Sequence, residues 1–223
     1  MKTYLPLLLT TPLMRGLTDR EIVEVLHCLS AAERSFGRGE TLFRAGDILR
    51  TLGVVLEGTV CLEKVDFWGN RSLLAQVGPG EIFGEVYACE PGRPLHVDVT
   101  AGEAGKALLL DVERLLRTCT SACPFHTRLI RNLLGVVAGR AYGLSRKLEH
   151  VSGRTTRAKL LSYLSEQAER AGSGRFSIPF SRQELADYLA VDRSAMSTEL
   201  GKLRKEGVLT FDKNRFELTD NEW

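Results

Sequence analysis

The stretch 181–207, SRQELADYLAVDRSAMSTELGKLRKEG, constrains this chain more than any other, because its apolar and polar residues fall into register as two short helices around a tight turn. Ser181 with Glu184 three residues on makes a capping box, which predicts a first helix starting just after Ser181. Leu185 and Leu189 then share a face, and Ala186 keeps that helix slim. Ala190 and Val191 make the turn, Asp192 caps the second helix, and Met196, Leu200 and Leu203 form its buried stripe before Gly207 stops it.

The face left over on the second helix carries Arg193, Ser194, Ser197, Thr198 and Lys202. Such side chains reach phosphates or base edges when a helix N-terminus enters a major groove. Beyond Gly207 the chain alternates as VLTF, turns at Asp212, Lys213 and Asn214, and resumes as RFELTD, the pattern of a small two-stranded wing. A bland pair of surface helices has the same periodicity. The two caps, short turn, polar face and wing together favour a DNA-reading module.

With 43% hydrophobic and 26% charged residues among 223, the chain has ordinary globular composition and room for two modest domains. No run of eighteen apolar residues occurs, and the leucine-rich start YLPLLLTTPLM is interrupted by Pro6 and Pro12 and lacks a cationic region ahead of a cleavage site. The expectation is a cytoplasmic protein without a membrane partner. A net charge of +2 says little about nucleic acid, but residues 126–159 are strongly cationic, with Arg128, Arg131, Arg140, Arg146, Lys147, Arg154, Arg157 and Lys159 against Glu149.

After a helix at 18–29, residues 36–110 carry short apolar runs (VVLEG, TVCLE, SLLAQV, EIFGEV, KALLLD) separated by turn signals at Gly58, at Trp68, Gly69 and Asn70, at Gly78, Pro79 and Gly80, and at Gly102 and Glu103. These predict an antiparallel barrel or roll, either holding a small ligand or filled as a structural core. From 123 to 151 the period switches: Leu129, Leu133, Val137, Ala141, Leu144, Leu148 and Val151 line a helix of about seven turns. That stripe suits a coiled coil between subunits, with an intramolecular bundle helix as the alternative. Gly135, Gly139 and Gly143 weaken the helix while permitting close approach on one side, against the roll. A helix at 155–171 follows a hinge, SGRTT, with Ala158, Leu161, Tyr163, Leu164 and Ala168 available for burial, and a short strand, FSIPF, leads into the DNA module. The fold class is α+β in three parts: an antiparallel β-roll with flanking helices at 1–122, a long dimerisation helix at 123–152, and a winged helix-turn-helix at 153–223.

In this order, from GRGETLFRAGD at 37–47 to the wing, the parts resemble the CRP/FNR family of bacterial transcription regulators. The resemblance implies a homodimer that binds palindromic double-stranded DNA, senses an effector at the roll and contacts RNA polymerase. It places Arg182 and Gln183 near the DNA backbone and Arg193, Ser194, Ser197 and Thr198 on the base-reading face, where Arg193 can fork to guanine O6 and N7. Thr198 and Ser194 stand where cyclic-AMP-responsive members have arginine and glutamate, so the half-site should differ. Ala190 replaces the glycine often found in the turn, which predicts backbone without a positive φ.

The family's phosphate-binding cassette matches 82–97, IFGEVYACEPGRPLHV, making Gly84, Glu85, Val86, Leu95 and His96 the candidate effector residues. Gly84 and Glu85 fit the family pattern. Leu95 and His96 replace the arginine and serine that pin a cyclic phosphate, and a buried phosphate without a cation lacks its main compensation. Cyclic AMP is therefore not the favoured effector, and Arg93 substitutes only in a re-registered loop. Cys28, Cys61, Cys89, Cys119 and Cys123 contain no CxxC pair, and nothing before Cys28 supplies the cysteine group of the iron–sulfur branch. Cys119, Cys123 and His126 are candidates for a soft metal or a redox thiol pair, although Pro124 breaks their helical alignment. His96 or His27 offers a haem ligand without a pairing motif. The cofactor is left unknown. A cupin-like enzyme lacks its converging histidines, and a constitutive DNA-binding protein with a purely structural roll remains an alternative.

Overall fold

A computed structural model describes residues 2–116 and 124–219. The chain divides into two compact units, Met1–Gly139 and Arg140–Trp223.

The first unit opens with two helices, α1 (Leu5–Thr10) and α2 (Asp19–Cys28). Thr18 and Glu21 form a reciprocal capping box on α2, as the helix predicted at 18–29 requires. Strands β1 (Ala32–Phe36), β2 (Thr41–Phe43), β3 (Thr51–Val65), β4 (Arg71–Val77) and β5 (Ile82–Phe83) follow, then the short helix α3 (Glu85–Ala88), β6 (Asp98–Asp111) and α4 (Val112–Leu116). All pairings are antiparallel; β1, β6, β3 and β4 lie side by side, with β2 on β6 and β5 on β3.

Two expected turns prove to be bends. The runs VVLEG and TVCLE belong to the single 15-residue strand β3, and Gly102 and Glu103 lie inside the 14-residue β6. The β3–β6 register slips between Val55 and Glu57, again before Thr59, and again before Val60, which bends both strands sharply without ending them. Gly58 sits at the bend with φ +72, and a Cβ there would lie 2.4 Å from the Ala104 carbonyl oxygen. A Cβ on Gly105 would lie 1.9 Å from the Glu57 carbonyl oxygen. The two backbones meet at a distance only glycine allows.

The core of this unit joins Leu8, Leu13, Ile22 and Leu26 from the N-terminal segment to Leu52, Val54, Leu108 and Leu110 of the sheet. The helix α5 (Pro124–Ser152) contributes Leu129 and Leu133 to it. Asn132 Nδ2 donates to the carbonyls of Leu13 and Arg15, both at 2.9 Å, and Arg128 donates to the Gly16 carbonyl, which ties the N-terminal segment to this helix. Further along α5 the expected stripe is uncovered at Ala141, Leu144 and Leu148 and half-covered at Val137 and Val151; Leu134 and Tyr142, outside that stripe, are exposed as well. Gly135 and Gly139, expected to let the helix approach the roll closely, have nothing within 4 Å of where a Cβ would stand, so their small size serves no packing against the sheet.

The second unit contains α6 (Thr156–Ala171), β7 (Arg175–Ser177), α7 (Arg182–Leu189), α8 (Arg193–Lys205), β8 (Leu209–Asp212) and β9 (Arg215–Leu218), with the strands ordered β7, β9, β8. Of the residues expected to bury on α6, Tyr163, Leu164 and Ala168 do, Leu161 does so partly, and Ala158 is exposed; Leu160 takes the central place instead. The β7 strand covers only the first part of the FSIPF run, because Ile178 turns into the core and donates its amide to Asn214.

Gly105→Ala is expected to destabilise the first unit by about 3 kcal/mol, at the upper end of ordinary overpacking. Amide hydrogen exchange should quicken along β3 and β6 while α7 and α8 keep wild-type protection.

Candidate nucleic-acid interface and effector site

Both caps of the helix pair form. Ser181 Oγ accepts from the Glu184 amide while Glu184 accepts from the Ser181 amide, and this holds the Glu184 carboxyl below its usual range. Asp192 Oδ1 accepts from the Ala195 amide at 2.8 Å and from Ser194 Oγ at 2.5 Å, bonds that lower its pKa, the serine bond most. Met196, Leu200 and Leu203 are buried with Leu185 and Leu189 between the helices.

The turn departs from expectation. Ala190 is left-handed, φ 50 and ψ 57. The Val191 amide reaches back to the Ala186 carbonyl, the six-to-one bond of a Schellman cap, and Lys159 Nζ holds the carbonyls of Leu189 and Ala190, each at 3.2 Å. These bonds offset the roughly 1 kcal/mol that an alanine loses in this conformation. The geometry is the one a glycine would supply, reached without glycine because the Lys159 ammonium and the Val191 amide donate to the carbonyls of the turn.

Arg193, Ser194, Ser197, Thr198 and Lys202 are all exposed on α8. Ser197 Oγ donates to the Arg193 carbonyl and Thr198 Oγ1 to the Ser194 carbonyl, both at 2.9 Å, which leaves those hydroxyls facing outward as acceptors. Arg193 has no ion pair among the described residues, whereas Lys202 lies 3.3 Å from Glu199. Gln183 is exposed and donates to Asp187 at 2.8 Å. Arg182 is half-buried, its guanidinium stacked on Phe211 and Phe216 of the wing.

In the first unit, Gly84 caps α3 with φ 77, and a Cβ there would crowd Leu49 Cδ1 at 3.1 Å. Glu85 is 1% exposed and Leu95 3%. Val86 and His96 face outward, and His96 Nδ1 lies 2.6 Å from the Tyr87 hydroxyl. Arg93 is exposed and held by Glu90 at 2.6 Å. Beside the cassette a cleft of about 590 Å³ is lined by Ile48, Leu49, Arg50, Pro91, Glu113 and Leu116, among others. Burial pushes the Cys61 and Cys89 thiols up, away from reactive thiolate character. Cys119 and Cys123 lie outside the described residues; His126 is buried, its Nδ1 without a hydrogen-bond partner among the described residues.

An antiparallel sheet domain carrying such a cassette, followed by a helix-turn-helix with a wing, defines a class of DNA-binding regulator with a separate sensory domain. The cyclic nucleotide-binding domain family matches residues 33–122, and the Crp-like helix-turn-helix domain family matches 158–222. The cyclic AMP receptor protein of Thermus thermophilus is 27% identical over 94% of this chain and 93% of its own. The transcriptional activator protein FnrL of Cereibacter sphaeroides is 24% identical over 82% and 74%. The crystal structure of the Thermus thermophilus catabolite activator protein superposes with a TM-score of 0.51 at 26% identity, covering 94% of each chain. The chain belongs to the CRP/FNR family of transcription regulators.

One polar cluster in the second unit escaped the sequence. Glu166 is 5% exposed and accepts from Arg146 Nε at 3.0 Å, from Arg170 at 2.7 Å and from His150, itself 1% exposed; His150 also meets Ser162 Oγ at 3.0 Å. Tyr163, Phe180 and Tyr188 pack around it, and burial pushes the Tyr163 hydroxyl up to about 12. The cluster fastens the last turns of α5 to α6. Its only sequence signal was a glutamate on the apolar side of a helix whose neighbour is rich in arginine.

Burial raises the Glu166 pKa, but the hydrogen bonds from Arg146 and His150 outweigh it and the net shift is downward. A depressed folded-state pKa stabilises the fold above the unfolded carboxylate value of about 4.3 and is lost as pH falls through the folded value. Glu166→Gln is therefore expected to cost about 3 kcal/mol near neutrality. The gap from wild type should narrow in urea melts as the buffer is taken below about pH 4.

Proposed function

We propose that this DNA-binding transcription regulator works as a homodimer on palindromic double-stranded DNA, gated by an effector other than cyclic AMP at the sheet domain. The observation that carries the DNA reading is the exposed α8 face, on which Arg193 stands free of any carboxylate among the described residues. In this reading residues 1–122 form a closed roll and sensor, 123–152 the dimerisation helix and 153–223 the reader. The exposure of the stripe residues Leu144 and Leu148, with Leu134 and Tyr142 also uncovered on the same helix, supports pairing of two long helices. Two reading helices then address half-sites one DNA turn apart, and the effector acts by setting their spacing. RNA polymerase is the partner through which binding changes transcription, and the working compartment is the cytoplasm.

The relatives named for cyclic AMP make that ligand the natural comparison. Here a buried leucine and a tyrosine-bound histidine occupy the positions that would pin its phosphate, and Arg93 is engaged by Glu90. A phosphate placed there would lose its hydration without gaining a cation.

Arg193→Ala should weaken binding to the specific site by about 1–3 kcal/mol more than binding to random duplex, the worth of a bidentate base contact. Equal losses on both duplexes in a competition titration would reduce Arg193 to a phosphate contact. Cyclic AMP added to the pure protein should leave promoter affinity unchanged, while a low-mass fraction of cell extract raises it. Identical affinity with and without that fraction would favour the constitutive scaffold.

A further inference from the structure

Lys159 belongs to the cationic run at 126–159, yet the fold does not leave it to solvent. It stands in the first turn of α6, half-buried, and among the described residues no carboxylate pairs with it. Its Nζ donates instead to the carbonyls of Leu189 and Ala190, each at 3.2 Å. The stem is confined from behind: a Cβ on Gly153 would lie 3.2 Å from the Lys159 amide nitrogen and 3.3 Å from its Cγ. The ammonium is therefore aimed at the turn between α7 and α8.

The two carbonyls it holds flank Ala190, whose left-handed backbone (φ 50, ψ 57) an alanine disfavours. Extended backbone turns successive carbonyls to opposite sides, so one ammonium meets both only while Ala190 keeps its curled conformation. Both oxygens lie at the negative end of α7, where a cation is favourable. The helix α8 begins three residues later, at Arg193, and the dihedral angles of Ala190 set the direction in which it leaves α7. Two residues before Lys159, Arg157 holds the other end of α8 through Glu199 at 3.4 Å and the C-cap residue Glu206 at 2.6 Å. One turn of α6 thus secures α8 at both ends.

We propose that Lys159 is a positioning residue for sequence discrimination: its ammonium locks the turn in the left-handed form and so aims Arg193 at a base edge, without itself touching DNA. The inference rests on the DNA-reading function proposed above and adds to it a residue that acts through the turn. Arg157 is the counter-hold at the far end of α8. A glycine at position 190 would make Lys159 dispensable, because glycine takes the left-handed conformation at no steric cost.

The test uses the full-length protein with two probes, the duplex that the wild type selects from a random-sequence pool in the presence of a low-mass fraction of cell extract, and a mixed-sequence duplex. Competition between them gives a discrimination ratio from which any unfolded fraction cancels. Lys159→Met keeps the stem and removes the charge. The ratio should fall roughly tenfold, the scale of a partly buried cation at a helix C-terminus. The slope of log affinity against log salt on the mixed-sequence duplex should stay at its wild-type value. Ala190→Gly should restore the ratio in Lys159→Met and leave it unchanged in the wild type. Ala190→Val, which keeps the lysine and opposes the left-handed turn, should reproduce the fall; it decides the matter if Lys159→Met does not fold, and a wild-type ratio there overturns the proposal. An unchanged ratio in Lys159→Met, or a loss that Ala190→Gly does not repair, overturns it as well and leaves Lys159 a fastener of α6. So does a slope flattened by about 0.9 for each protomer engaged, which would make Lys159 a phosphate contact. If the wild type selects no sequence from the pool, the DNA-reading function fails first and the positioning role falls with it.

Discussion

The sheet domain depends on the long antiparallel pairing of β3 with β6, and that pairing depends on two backbones touching at Gly58 and Gly105. A strand of 15 residues in a small domain must bend if its two halves are to serve one core. The register slips at Val55, Glu57 and Thr59 supply the bend, and a carbonyl 1.9 Å from where a Cβ would stand shows how tightly it closes. One half of β3 takes β5 and the other takes β4, so the cassette, which begins at Ile82 in β5, hangs directly from this pairing. Any loosening there would displace the buried Glu85 and Leu95 together.

The reading unit is organised by a different force. Its apolar core, in which Leu185, Leu189, Met196, Leu200 and Leu203 of the helix pair meet Leu160, Leu164, Ile178 and Phe216, is smaller than that of the sheet unit, and polar interactions fix what the core leaves free. A capping box sets where α7 begins and the Asp192 side chain where α8 begins, and Lys159 and the Val191 amide complete the turn. Arg157 ties α6 to Glu199 of α8 and to Glu206 at its C-terminal cap, at 3.4 and 2.6 Å. Glu166 gathers Arg146, His150 and Arg170 so that α5 and α6 meet at one defined angle. Charge therefore decides geometry here, while the exposed Arg193 is left out of every ion pair among the described residues. The helix α5 takes part in both units, burying Leu129 and Leu133 in the first and committing Arg146 and His150 to the second.

Much of this was legible in residue order, because the signals were local. Ser181 with Glu184, Asp192, the stripe at Met196, Leu200 and Leu203, and the wing turn at Asp212, Lys213 and Asn214 each need information from only a few neighbouring residues, and each formed. The apolar runs of the sheet were visible too, but their joining was not: Gly58 looked like a turn because a glycine at positive φ marks turns and bends alike. Ala190 failed for the complementary reason. Its conformation is imposed by Lys159, thirty-one residues away, and by the closing bond from Val191, which no propensity of alanine reports.

The sequence alone determined the class of protein, its order of parts and the identities of the side chains on the reading face and in the cassette. These follow from periodicity, caps and the chemical types at matching positions, all of which survive without coordinates. Tertiary structure decided which of those side chains are free. It stacked Arg182 on the wing instead of leaving it extended, bound His96 to Tyr87 and Arg93 to Glu90, and drew Glu166 inward among cations. Whether a charge is available to a ligand depends on which opposite charge or aromatic face lies within a few ångströms, and the fold alone fixes that distance.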